Sequence, residues 1–127
     1  MVADDTNAGG SPLVDRLFPE FHRDLSSSLK RYRNAARDVE AFARLLDINA
    51  EKQRGARMQG FGPVEVYKTR VISRDIPAGK SGGFRVILTR HQGIYYFVMI
   101  YTHTTRRSES DIRHEIVRRL RNHGWLD

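Results

Sequence analysis

Apolar residues recur at two different periods along this chain, and the change of period divides it into elements. Residues 1–12 are polar and slightly acidic, end at Pro12, and read as a disordered leader. Residues 13–127 then read as one domain. Leu13 to Phe18 is expected to form a short first strand. Pro19 opens a helix, since proline is well tolerated at the first helical position. Phe21, Leu25 and Leu29 follow at four-residue spacing, with Tyr32 three further on, and make one apolar stripe. Val39, Phe42, Ala43 and Leu46 make a second stripe and predict a helix from about Ala36 to Leu46. Together they predict a helical hairpin.

Gly55, Gly60, Gly62 and Pro63 punctuate residues 47–63, which read as loop. Three strand-like runs follow: Val64 to Ser73, Phe84 to Arg90, and Gly93 to Thr102. His91-Gln92-Gly93 is short enough to join the last two as a hairpin. Ile94 to Ile100 is almost wholly apolar, a pattern that implies burial on both faces and predicts the central strand. Asp111 to Asn122 reads as a final helix, with Ile112, Ile116, Val117 and Leu120 on one face. Ser108 or Ser110 is placed to cap its start and Gly124 to end it. The predicted class is α+β: a small antiparallel-dominated sheet with an N-terminal helical hairpin and a C-terminal helix, the helices packed on one face.

Charge adds a direction to this picture. The chain carries a formal net charge of +7, with 22 Lys and Arg against 15 Asp and Glu. Such a balance predicts attraction to an anion, most often nucleic acid. Between Lys52 and Arg107 there are 11 Lys and Arg and 2 Asp and Glu, so the whole excess lies in one segment. Arginine outnumbers lysine 18 to 4. Arginine forks onto phosphate with two parallel hydrogen bonds, although a GC-rich genome also favours it. A solvated basic surface and a binding face both fit the segment.

Several chemistries drop out. There is no cysteine, which removes disulfides, thiolate metal sites and thiol nucleophiles and agrees with a cytoplasmic location. No apolar run approaches the roughly 18–20 residues that span a bilayer, so no membrane partner is expected. The five histidines, at 22, 91, 103, 114 and 123, show no close-spaced ligand pair, and no metal or other cofactor is expected. Gly79-Lys80-Ser81 resembles the end of a nucleotide-binding loop. That loop needs a glycine where Arg74 stands and a helix afterwards, and Phe84 onward reads as strand, so no nucleotide cofactor is expected either. The glycines read instead as a turn leading Arg85 into a basic sheet. Lys68 and Arg70 are two apart and share a strand face. With hairpin pairing, Arg85 joins them there. A protein that cleaves RNA without metal can use the RNA's own 2′-hydroxyl as nucleophile while cationic side chains stabilise the transition state.

Four segments carry a family resemblance: Pro19-Glu20-Phe21-His22-Arg23-Asp24-Leu25, Val66-Tyr67-Lys68-Thr69-Arg70, Gly79 through Val86, and Ile100-Tyr101-Thr102-His103. In this order they resemble the RelE/HigB-type toxins of bacterial type II toxin–antitoxin systems, within the RelE/ParE superfamily, over roughly residues 13–122. The resemblance implies a RelE-like fold and a metal-independent endoribonuclease that cuts mRNA on the ribosome. Its implied partners are the ribosome, mRNA and a cognate antitoxin. Lys68 and Arg70 match the family's basic strand pair, and Arg85 matches the arginine at the scissile phosphate. His103 stands where many members carry a lysine; it is the leading general base, with a surface strand-end histidine as the plain alternative. Lys80, Arg74, Arg106 and Arg107 are the implied further RNA contacts. A tyrosine that some members place at the start of the last helix is absent, with Asp111 near its position. Tyr101 and Tyr96 are possible base-stacking rings, and the neighbours of Tyr96 favour core packing. Two alternatives share the fold: a ParE-type gyrase poison, and a nucleic-acid-binding module without catalysis.

Overall fold

A computed structural model describes residues 12–77, 82–104 and 107–126. Five helices, α1 (Leu13–Arg16), α2 (Pro19–Leu29), α3 (Ala35–Ile48), α4 (Ala50–Gln53) and α5 (Glu109–Asn122), accompany four strands. The strands are β1 (Ala56–Met58), β2 (Glu65–Val71), β3 (Phe84–His91) and β4 (Ile94–Thr102). They form one antiparallel sheet in the order β1-β2-β3-β4. The α+β class and the helical hairpin before the sheet are as the periodicity predicts.

The two stripes of the hairpin do what their spacing requires. Phe21 and Leu25 of α2 and Val39, Phe42, Ala43 and Leu46 of α3 are buried. Phe21 and Phe42 meet Phe97 of β4 edge-on, at 5.5 and 6.1 Å between ring centroids. Tyr32, just beyond α2, meets Phe84 of β3 in the same way at 5.6 Å. These contacts seat the hairpin on the sheet face that carries Phe84 and Phe97.

Helix α5 occupies the other face, which corrects the expectation of helices on one side only. Side chains two apart share a face, so Lys68, Ile87 and Met99, aligned by register, lie opposite Phe84 and Phe97. There Lys68 meets Glu109 of α5, and Ile87 and Met99 are buried together with Ile112, Ile116 and Leu120. Ser108 and Asp111 form a reciprocal capping box at the start of α5. At its end Trp125 N–H donates to Leu120 O (2.8 Å) and Gly124 N–H to Arg121 O (3.1 Å). This paired closure needs a left-handed residue, supplied by Gly124 with φ of 75°.

Three further expectations give way. Leu13 to Phe18 is mostly helix α1; only Leu17 makes a parallel bridge, to Phe97. Residues 47–63 hold α4 and β1, too short for a periodic signal. Strand β4 lies at the sheet edge rather than its centre. It is apolar because helices cover both its faces, and its open edge is also closed. Phe18 N–H donates to Phe97 O (2.9 Å), Ile100 N–H to Asp24 Oδ2 (3.2 Å), and Arg119 Nη1 to Val98 O (2.8 Å). An edge so occupied presents fewer unpaired groups to another strand.

Arg119 is the joint of this arrangement. Its side chain is 7% exposed, and its guanidinium pairs with both oxygens of Asp24 (2.7 and 3.1 Å) and meets Glu115 Oε2 at 2.7 Å. One side chain thus ties α2, β4 and α5 together. The Arg118 guanidinium holds the Glu115 carboxyl down at about 2, and Arg119 adds to the effect against the opposing influence of burial.

Candidate RNA-binding face

Register builds the site. In the β2–β3 ladder Arg70 stands directly opposite Arg85, and Lys68 opposite Ile87. Across the β3–β4 ladder Arg85 stands opposite Tyr101. Lys68, Arg70, Arg85 and Tyr101 therefore share one sheet face, and the first turn of α5 borders it. Like charges directly opposite each other in a ladder are destabilising. Something must hold the two guanidiniums, and part of the answer is one backbone oxygen. Arg70 Nε donates to Gly82 O at 2.7 Å and Arg85 Nη1 donates to the same oxygen at 3.2 Å.

The glycine turn fixes that oxygen. Gly83 has φ of 83°, a conformation L side chains rarely adopt, and a Cβ there would lie 2.5 Å from Val71 O. Only glycine lets β3 start so close to the end of β2 and leaves the Gly82 carbonyl aimed at both arginines. Strand β3, not a helix, follows this turn at Phe84. The helix N-terminus that a phosphate-cradling nucleotide loop requires is thus replaced by a strand.

Lys68 is half-buried, and its Nζ lies 3.3 Å from Glu109 Oε1. The pair is partly open to solvent, so it adds little stability, but it aims the ammonium along the face. Burial holds the Tyr101 phenol above its usual range; Glu109 pushes the same way, while Arg85 and Arg107 oppose. At neutral pH Tyr101 is therefore a hydrogen-bond donor beside the arginines and not a base.

The remaining predicted residues separate. His103 sits exposed in the turn after β4, and among the described residues no hydrogen bond or ion pair joins it to the arginines. Arg107 is exposed just before the Ser108 cap. Arg74 is committed to α3: its Nε lies 3.3 Å from Asp38 Oδ1, and its backbone N–H donates to Asp38 Oδ2 at 3.1 Å. It is thus drawn toward the hairpin. Lys80 and Arg106 lie outside the described residues.

Beside the face runs an open groove of ≈ 420 Å³ along the end of β4, between it and the C-terminal half of α2. Tyr101 and Arg107 line it together with Ser27, Ser28, Arg31 and Tyr32. No sequence pattern marks this groove, because Arg31 and the serines read as the solvent side of a helix. Glu109 was equally hidden, since one carboxylate near a helix start has several ordinary uses. Among the described residues no cluster of three His, Asp or Glu is arranged to hold a metal ion, and no helix is long and apolar enough to cross a membrane.

Comparison with protein-family models, with curated proteins and with solved structures finds no match to this chain.

Proposed function

We propose that this protein is the toxin of a type II toxin–antitoxin pair, a metal-independent endoribonuclease that cuts mRNA on the ribosome. The observation that carries the reading is the opposition of Arg70 and Arg85 on one face, with Lys68 two residues along and Tyr101 across the next ladder. Two guanidiniums facing each other across a ladder can take one anion between them. The spacing of adjacent strands, roughly 5 Å, lets two guanidiniums reach different oxygens of one phosphate.

In the proposed reaction the RNA 2′-oxygen attacks the adjacent phosphorus. The O2′–P bond forms, the P–O5′ bond breaks, and a 2′,3′-cyclic phosphate results. The 2′-hydroxyl proton leaves to a base and the departing 5′-oxygen gains a proton. Arg70 and Arg85 would neutralise charge building on the phosphate oxygens, the electrostatic term that usually contributes most. Tyr101, held protonated, would donate to the same group. His103, exposed in the turn after β4, is the proposed base; catalytic hydrogen bonds often tighten only in the complex with substrate.

A second reading, an RNA-binding module without cleavage, is favoured by two observations: Lys68 is engaged by Glu109, and among the described residues no hydrogen bond or ion pair joins His103 to the arginines. Mapping mRNA ends after incubation with programmed ribosomes distinguishes the two. New ends that vanish with Arg85→Ala support the nuclease. Binding without new ends supports the module. Inhibition of gyrase supercoiling with no new ends points to the ParE-type alternative.

A further inference from the structure

The groove beside the arginine face has the chemistry of a nucleotide subsite. Its cationic side chains, Arg31 and Arg107, are exposed. Its aromatic side chains, Tyr32 and Tyr101, are half-buried, so each keeps part of its ring accessible. The Arg31 guanidinium lies over the Tyr32 ring at 5.7 Å, and Tyr32 is braced edge-on by Phe84. Ser27 and Ser28 add hydroxyls that can donate or accept. The acidic group in the lining, Asp24, is already spent: both its oxygens bond Arg119, and one also accepts from Ile100 N–H. An incoming phosphate therefore meets two arginines and a neutralised carboxylate.

Continuity with the face decides what the groove would take. Tyr101 belongs to both, since it lines the groove and stands opposite Arg85. A chain whose phosphate lies at Arg70 and Arg85 would turn its neighbouring nucleotide past Tyr101 and into the groove. Single-stranded RNA is commonly held in this way, with bases on aromatic rings and the backbone on arginines.

The geometry points to the groove between α2 and the end of β4 as the subsite for the nucleotide next to the scissile phosphate, with Tyr101 and Tyr32 contacting the base and Arg31 and Arg107 the backbone. This inference rests on the RNA reading of the arginine face, and the test keeps the two apart.

The probe is a fluorescein-labelled single-stranded hexaribonucleotide, followed by anisotropy between about 50 and 200 mM salt, a range over which phosphate contacts register strongly. Arg31→Ala and Arg107→Ala should each weaken binding and lower the salt slope by about 0.7, the value for one phosphate on a single strand. Ser27→Leu, at an exposed helical position, should fill the groove and weaken binding about tenfold without changing the slope, as loss of one stacked base would. Circular dichroism melts verify that each variant is folded. Arg85→Ala serves as the reference for the face. If Arg85→Ala weakens binding while all three groove variants match wild type, the groove inference fails and the RNA reading stands. If Arg85→Ala also matches wild type, both fail. If the groove variants lose polyglutamate as strongly as they lose RNA, the groove holds acidic polymers in general and the inference fails again.

Discussion

Arg70 and Arg85 face each other across the β2–β3 ladder and donate to the same carbonyl oxygen, that of Gly82. The pair thus sets two cations side by side on the face that also carries Lys68 and Tyr101. Arg85 is a surface-facing cation opposite another cation, so Arg85→Ala should change unfolding free energy by about 1 kcal/mol at most, since loss of hydrogen bonding is offset by relief of the like-charge opposition. RNA affinity should nevertheless fall by tenfold or more. Urea melts and RNA anisotropy on the same preparation check both halves. A large loss of stability in Arg85→Ala would recast the residue as structural.

Gly83 connects this pair to the turn. With φ of 83° and no room for a Cβ beside Val71 O, Gly83→Ala should cost about 1–3 kcal/mol as strain at a special backbone conformation. It should also weaken RNA binding, because the Gly82 carbonyl would move away from both arginines. Gly93, in the β3–β4 hairpin, has φ of 80° but open space around a Cβ. Gly93→Ala is thus the control: some strain, with RNA binding per folded molecule unchanged.

Sequence periodicity made much of this legible. Phe21 and Leu25, then Val39, Phe42 and Leu46, revealed the hairpin because a helix turns every 3.6 residues and each stripe had to be buried. The shared face of Lys68 and Arg70 follows from alternation, and Arg85 joins them because β2 and β3 pair antiparallel across a longer connection. Sheet order was harder. The apolar run in β4 has the composition of a central strand, yet its neighbour on one side is a single bridge from Leu17 and side chains from α2 and α5. Periodicity reports how much of a strand is buried and not what buries it. Likewise Ala56–Met58 has no pattern a three-residue strand could display. Arg119, the joint of the fold, reads in sequence as one more cation on a polar helix.

That joint gives a stability prediction. Arg119→Ala leaves Asp24 partly buried without its cation and Glu115 with Arg118 alone, and should destabilise the fold by about 3–5 kcal/mol, the range for breaking a buried pair. Arg113→Ala, also on α5, removes a contact with Gln59 O and the cover of the Phe61 ring, and should cost well under half as much. Denaturant midpoints compare the two directly.

Glu115 sets an acid limit. Its folded value of about 2 lies below the ordinary carboxyl value of 4.5, so the folded state prefers the ionised carboxylate. Its contribution is complete above roughly pH 4.5 and is lost as pH falls toward 2. Urea midpoints taken across that window should decline for wild type, and the decline should be shallower for Glu115→Gln. Equal slopes would mean that other carboxylates carry the acid sensitivity.

Glu109 holds Lys68 at the border of the face at 3.3 Å. Because the pair is exposed, Glu109→Gln should shift stability by under about 1 kcal/mol. Freeing the ammonium and removing one negative charge should strengthen RNA binding several-fold at low salt, an advantage that shrinks as salt is raised. Weaker RNA binding by Glu109→Gln would indicate that the carboxylate is needed to position Lys68.

The most direct test of the nuclease assignment is primer extension on mRNA from programmed ribosomes, with wild type and Arg85→Ala side by side. The account predicts new ends in the ribosome-bound message, bearing a 2′,3′-cyclic phosphate, that are present with wild type and lost with Arg85→Ala. Intact mRNA after incubation with folded wild-type protein, or equal cleavage by Arg85→Ala, would contradict it.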